Sequence, residues 1–423
     1  MSPNGFNGVI SSNGDGHVAP LHLQALPAPT PSVNPLKASN LFFSPAPPGT
    51  DRSGTRGRYM LSIPWSKQSG WGQPKIGPLE TINLDPLAGA LQYAVSCFEG
   101  MKCYKGEDGQ LRLFRPDKNF DRLKRSAWRI GLPYDWDNSE LLDLLVKLVA
   151  LEAPIVPNED GTNLYIRPTL IDASSSFGLR EDGLATEAML YVATGINVGT
   201  KIYPSADGKG LKLNTSSDFI RAWPGGTGSY KLGANYGPVH IAKQPGYAMS
   251  LWLHGDRDYI SEAGGMNIFV IKQASDGFLE FVTMSLANGI VLPGVTRSSI
   301  IELLTNHASG IKDFPTVGMP KNIRVVERDI PMQEIIDGIA DGSLKGQLIR
   351  GRFFGCGTGV VVVSIAEITY ANNVYHIPYN PLVRLIRDTM TALQRGKIES
   401  EWSYKVPAWS GPGLESTEEV IIT

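Results

Sequence analysis

Apolar and polar positions alternate along Tyr59-Met-Leu-Ser-Ile-Pro-Trp and again along Leu79-Glu-Thr-Ile-Asn-Leu, the period of β-strands. A short alternating strand is predicted over 110–114. After Pro116 the period becomes helical, with Phe120, Leu123, Ala127 and Ile130 on one face and Gly131 as the stop. Arg122 and Arg125 fall on other azimuths of that helix. A second helix follows the capping candidates Asp137-Asn138-Ser139 and turns Leu141, Leu144, Leu145 and Leu148 inward. Strands are predicted over 163–170, 189–193, 247–254, 267–272, 279–283 and 323–328. The Ala-Ser-Asp-Gly turn makes a hairpin of 267–272 and 279–283. A β-branched run over 359–370 reads as a buried strand, and helices are predicted from Thr296, over 331–341 and over 381–395. Antiparallel signals with single helices between them give an α+β fold.

With 423 residues the chain exceeds one ordinary core, so two domains are expected. The turn-rich stretch 203–210 is the candidate linker between a domain at 36–202 and one at 211–423. Residues 1–35 are rich in Pro, Ser, Asn and Gly and carry no Lys or Arg, so they read as a disordered or loosely docked leader. That leader matches neither a mitochondrial nor a secretory signal, and the expectation is a cytoplasmic protein. A net charge of -2 offers no general attraction to nucleic acid or anionic membrane, and no apolar stretch is long enough to cross a bilayer. The 3 cysteines form no CxxC and fit a reducing compartment. The 6 histidines form no ligand pair, so no metal site is expected.

The candidate chemistry centres on 221–238, Arg-Ala-Trp-Pro-Gly-Gly-Thr-Gly-Ser-Tyr-Lys-Leu-Gly-Ala-Asn-Tyr-Gly-Pro. Lys231 lies among residues small enough to admit a ligand, and a desolvated amine there could form a Schiff base with an aldehyde cofactor. By itself the stretch also fits a surface loop with a solvated lysine, the commoner outcome. A phosphate loop is excluded because Leu232 follows the lysine and the glycine spacing is wrong. Glu262, before small residues that lead into a strand, could set a carboxylate at a pocket floor beside a pyridine nitrogen, or be a solvent-facing turn. Pro293-Gly294-Val295-Thr296 at a helix start could hold a phosphate, or be an ordinary cap. The Gly355-Cys356-Gly357-Thr358-Gly359 turn could hold phosphate or carboxylate oxygens, or be a tight turn; Cys356 reads as packing.

Taken together these stretches resemble the branched-chain amino acid aminotransferases of the fold-type IV pyridoxal-phosphate enzymes. The likeness runs over roughly 59–406 through Phe98-Glu99-Gly100-Met101-Lys102, Arg112-Leu-Phe-Arg-Pro116, Tyr165-Ile166-Arg167-Pro168 and Glu262…Asn267-Ile268-Phe269…Leu292-Pro-Gly-Val-Thr-Arg297. It implies a small N-terminal domain, a larger C-terminal pseudo-barrel and a homodimer. It implies pyridoxal 5'-phosphate bound by Lys231, with Glu262 at the pyridine nitrogen and Tyr236 at the phenolic oxygen. Arg122, Val295, Thr296 and Thr358 would then hold the phosphate. Substrate would meet Tyr93, Phe98, Tyr165 and Arg167, with the Thr358-Gly359 turn at the α-carboxylate. Arg167 would let an apolar pocket also accept glutamate. The implied activity is amino transfer between Leu, Ile or Val and 2-oxoglutarate. The alternatives are a related aliphatic substrate in specialised metabolism, or a non-catalytic scaffold. Gly359 and Gly265 depart from the bulkier residues usual in the family, Val360 and Val363 replace the mammalian CxxC, and the tail after Val406 lies outside the likeness.

Overall fold

The structure, a computed structural model, describes residues 24–46, 55–178, 182–198, 210–216, 219–242, 244–340 and 353–412. Two sheets organise it. The first has ten strands, and its middle is the antiparallel run Arg56–Ser66, Glu187–Val198, Thr162–Asp172, Met101–Lys105, Leu111–Phe114. The expected strand at 79–84 is absent: Lys75–Pro78 pairs with Arg56–Ser66 instead, and Phe42–Phe43 lies outside it. Past Leu79 the segment buries no further side chain, so its alternation has no face to pack. Residues 24–35 are docked by polar bonds rather than apolar burial. Asp135 accepts from the Ser32 amide, and the Gln24 carbonyl accepts from Arg125.

Two helices cover the first sheet. Pro116–Arg129 starts with proline at its first position, where no N–H is needed. It ends as the sequence predicts: Gly131 takes φ +70° while its N–H donates to Trp128 and that of Leu132 to Ala127, closing a Schellman motif. In Asn138–Leu151 the Asp137 carboxylate accepts from the Ser139 amide, and the leucine face packs with Trp136 and Phe120.

The second sheet has nine strands. Six of them run Tyr259–Ala263, Met249–His254, Leu211–Ser216, Val361–Tyr370, Phe353–Gly357, Met266–Gln273, and the last pairs back with the first, so the sheet closes on itself. Leu279–Thr283 and Ile323–Glu327 extend it beyond the closure, the former through the predicted hairpin. Val295–Ala308 and Pro381–Arg395 cover it over a stacked Phe269–Phe354 pair, rings 5.0 Å apart. The chain then returns to the first sheet, where Ser403–Lys405 pairs with Leu111–Phe114. The expected linker lies, apart from Gly210, outside the described residues. Among the described residues no helix is long and apolar enough to cross a membrane.

Gly131 gives a direct test of the helix stop. A Cβ there would collide with the Gly183 carbonyl in addition to forcing a positive φ. Gly131→Ala is expected to destabilise by about 1–3 kcal/mol in urea unfolding; an unchanged midpoint would contradict the motif.

Candidate active site

Lys231 is pinned at both ends of its peptide unit. Its N–H donates to Ser126 Oγ (2.9 Å) and its carbonyl accepts from the Phe98 N–H (3.0 Å). The lysine loop is thereby stitched to the strand Ser96–Phe98 and to the helix Pro116–Arg129. A single turn, Gly233–Asn235, folds the chain back, and the Asn235 amide holds it by donating to the Thr227 and Tyr230 carbonyls. Tyr236 is thus returned beside Lys231, whose Nζ donates to its hydroxyl at 2.9 Å. The Phe98 ring stands edge-on to Tyr236 (4.8 Å) and 4.9 Å from the Lys231 ammonium. Lys231 is half-buried inside the site rather than on an outer surface loop.

Of the two settings open to Glu262, the structure shows the buried one. Glu262 lies within the strand Tyr259–Ala263, fully buried, and not in a solvent turn. Gly264 supplies the positive φ (+57°) that turns this strand into the next. Glu262 Oε1 accepts from the Leu292 N–H (2.8 Å) and Asn267 Nδ2 (3.2 Å). Its Oε2 lies 3.0 Å from Arg221 Nε, yet accepts no well-aligned hydrogen bond from any described group. Burial pushes this carboxyl above the ordinary range, while the charge of Arg221 works against that rise.

The third part of the site is an anion end. The helix Val295–Ala308 begins after Gly294 with no side-chain cap, so its first N–H groups are not taken by a capping residue. Gly294 is required, since a Cβ would strike Asn267. Val295, Thr296 and Thr358 line one small cavity together with Asn119 and Lys102. Arg122 stands behind it: Nε and Nη2 bond Glu99 (2.7 and 2.8 Å), and Nη1 donates to the Pro293 carbonyl (3.0 Å). Three of its five protons are committed, which leaves one on each Nη. Lys102 is buried and donates to the Gly359 carbonyl at 2.8 Å; burial pulls its pKa down to about 8.

Substrate-facing residues are only partly brought together. The Arg167 guanidinium lies between the rings of Phe98 (4.5 Å) and Tyr165 (5.1 Å) and donates to the Tyr165 hydroxyl (2.8 Å), so these three form one wall. Gly100 lets Tyr165 pass, because a Cβ would meet its hydroxyl. Tyr93 does not join them among the described contacts: it is exposed, and its hydroxyl accepts from the Gly178 N–H. Neither unusual glycine is sterically forced, for a Cβ on Gly359 would meet nothing and one on Gly265 only Tyr236 at 3.5 Å. Next to that turn Val361 holds φ +60°, a costly conformation for a β-branched residue. Cys356 is buried core, its thiol pushed up to about 12 by burial.

Several contributors escape a reading by motif. Asn119 and Ser126 join Arg122, which was read, in a second, polar buried stripe on the helix Pro116–Arg129 that serves Glu99 and Lys231. Their spacing of three and four residues was the available signal. Arg221 lay in the lysine stretch without a role, and nothing local marks it as the partner of Glu262.

A closed barrel carrying a buried carboxylate and an uncapped helix start, with a lysine loop held within their electrostatic reach, is the architecture of fold-type IV pyridoxal-phosphate aminotransferases. Residues 96–340 match the model of the amino-transferase class IV family. The chain is 38% identical over 82% of its length to the mitochondrial branched-chain-amino-acid aminotransferase of Bos taurus, covering 84% of that protein. It is 36% identical over 80% of its length to the cytosolic enzyme of Caenorhabditis elegans, covering 79% of it. The crystal structure of the Thermoproteus uzoniensis branched-chain aminotransferase with norvaline superposes with a TM-score of 0.60 at 23% identity, over 82% of this chain and 100% of that one. The chain belongs to the class IV aminotransferases, in the branched-chain aminotransferase family.

The family cofactor is pyridoxal 5'-phosphate, and the residues present fit it. Among the described residues Glu262 Oε2 is a buried oxygen with no hydrogen-bond donor, and Lys231 Nζ bonds only a phenol; the uncapped helix start suits a phosphate.

The Glu99–Arg122 pair can be tested alone. Glu99→Ala would leave a buried guanidinium without its carboxylate and is expected to cost about 3–5 kcal/mol. Urea unfolding reads this, and a loss below about 1 kcal/mol would show that the pair does not hold the site.

Proposed function

We propose that the residues gathered here perform amino transfer between branched-chain L-amino acids and 2-oxoglutarate, each in the role given by the geometry. The observation that carries this reading is Lys231 Nζ held on the Tyr236 hydroxyl beside the Phe98 ring, with Glu262 and Arg122 within electrostatic reach. Pyridoxal phosphate supplies the aldehyde that accepts the amino group and the ring that takes up electrons from the substrate Cα.

Lys231 would hold the cofactor through Nζ, and the same amine is placed to act as the general base that takes the proton from the substrate Cα. Tyr236 would donate to the cofactor's phenolic oxygen, and Glu262 would keep its pyridine nitrogen protonated. Val295 and Thr296 N–H groups, the Thr358 hydroxyl and the two Arg122 protons that no described residue takes would hold the phosphate. The donor leaves as its 2-oxo acid, and the amino group passes to 2-oxoglutarate to give glutamate in the reverse sequence.

Phe98 and Tyr165 give the aliphatic side chain an apolar wall, while Arg167 between them meets the distal carboxylate of glutamate. Arg167 Nε lacks a partner among the described residues, which suits a group reserved for a ligand. The Thr358-Gly359 turn receives the α-carboxylate. We further read the protein as a cytoplasmic homodimer, although its relatives carry both mitochondrial and cytosolic names. Leu91, Tyr93 and Phe177 are exposed together where Tyr93 bonds Gly178, an apolar face suited to a second copy. A substrate role for Tyr93 would then be exercised across that interface.

Single half-reactions with leucine, isoleucine, valine, glutamate and 2-oxoglutarate test the assignment. Wild-type enzyme is expected to react with all five. In Arg167→Leu the dicarboxylates alone are expected to lose about 2–5 kcal/mol of apparent binding. Equal losses for leucine and glutamate would contradict the dual-substrate role, and inertness of the wild type toward leucine would overturn the function.

A further inference from the structure

We propose that Arg221 is a positioning residue for Glu262: it neutralises the buried carboxylate while leaving Oε2 open for the cofactor ring N–H. This rests on the reading of Glu262 as the partner of the pyridine nitrogen. The geometry separates charge from hydrogen bonding. Arg221 Nε lies 3.0 Å from Oε2, but its well-aligned bonds run elsewhere, from Nη1 to the carbonyls of Ile290 (3.2 Å) and Gly228 (3.3 Å). Nη2 and Oε2 are both buried with no hydrogen-bond partner among the described residues. Oε1 is already engaged by Leu292 N–H and Asn267 Nδ2. A guanidinium squarely paired with Oε2 would occupy one of that oxygen's two lone pairs and compete with the ring N–H. One held off line by two carbonyls supplies its field and leaves that lone pair available.

The other charges facing Glu262 are Lys231 from its loop and Arg122 from the helix Pro116–Arg129, both acting more weakly than Arg221. Burial favours the neutral acid, and Arg221 is the largest force against it. A neutral Glu262 would have no charge with which to keep the ring nitrogen protonated. Arg221 also binds the Gly228 carbonyl three residues before Lys231, so one side chain ties the lysine loop to the carboxylate's partner.

The test is a double-mutant cycle with Arg221→Met and Glu262→Gln, read on apoprotein by pyridoxal-phosphate affinity and by thermal melting across about pH 5.5–8.5. Arg221→Met is expected to weaken cofactor binding by roughly 10- to 100-fold alone and by less than about threefold in the Glu262→Gln background. The melts carry a signed signature. Without Arg221 the folded-state pKa of Glu262 rises further above its unfolded value, so stability is kept at low pH and lost as pH rises through the folded value. The Arg221→Met deficit is therefore expected to grow with pH and to become pH-independent once Glu262→Gln is added. Equal losses in both backgrounds, or a deficit that ignores pH, would overturn the proposal and leave Arg221 as a tie between Gly228 and Ile290. Should Arg221→Met fail to fold, a folded double variant supports the proposal and an unfolded one overturns it. Wild-type affinity and turnover in Glu262→Gln alone would overturn the reading of Glu262 itself, an outcome separate from the cycle.

Discussion

Arg122 joins the parts that must meet for this site to exist. It rises from a helix packed on the first sheet, takes both oxygens of Glu99 at the end of a strand of that sheet, and donates to the Pro293 carbonyl beside the second sheet's helix start. Both charges are buried, so neither is stable without the other, and the pair acts only in the one arrangement that satisfies both. Ser126, one turn further along the same helix, fixes the Lys231 amide. The lysine, the second sheet's helix start and the sheet boundary are thereby set by one polar stripe.

The second organising force is the electrostatics of a carboxylate inside a closed barrel. Glu262 is buried where an unpaired charge would be strongly disfavoured, and its surroundings answer with two N–H donors and three cations. Those cations are shared: Lys231 also bonds Tyr236, and Arg122 also pairs with Glu99. Removing any one perturbs the ionisation of the others, so losses on substitution should not add. The Thr358-Gly359 turn lies at the far end of this field. Lys102 anchors its Gly359 carbonyl, and the strained Val361 follows it.

Elements with a strong single period were legible. The helix Pro116–Arg129 with its glycine stop and the hairpin around Ala-Ser-Asp-Gly follow directly from spacing and turn chemistry. The strand Tyr259–Ala263 was hidden because its inward position holds a glutamate, which no strand pattern expects. Leu211–Ser216 was missed too, and with it the closure of the barrel, since pairing between distant strands leaves no local trace. At the site, Lys231, Tyr236, Glu262, Arg122 and the helix start were read by family likeness, and the structure brings them within bonding or electrostatic reach of one another. Arg221, Glu99 and Ser126 were not, because their value lies in a partner far away in sequence. Tyr93 was read as part of the substrate wall but stands apart from it on an exposed face.

The central claim is that Lys231, and no other lysine, carries the cofactor. Lys102 is the natural competitor, being buried near the same anion cavity with its pKa pulled down to about 8. Borohydride reduction of the holoenzyme followed by peptide mass mapping discriminates them directly. The account predicts a single phosphopyridoxyl group on the peptide containing Lys231. The same group on Lys102, or no fixed label at all, would contradict it.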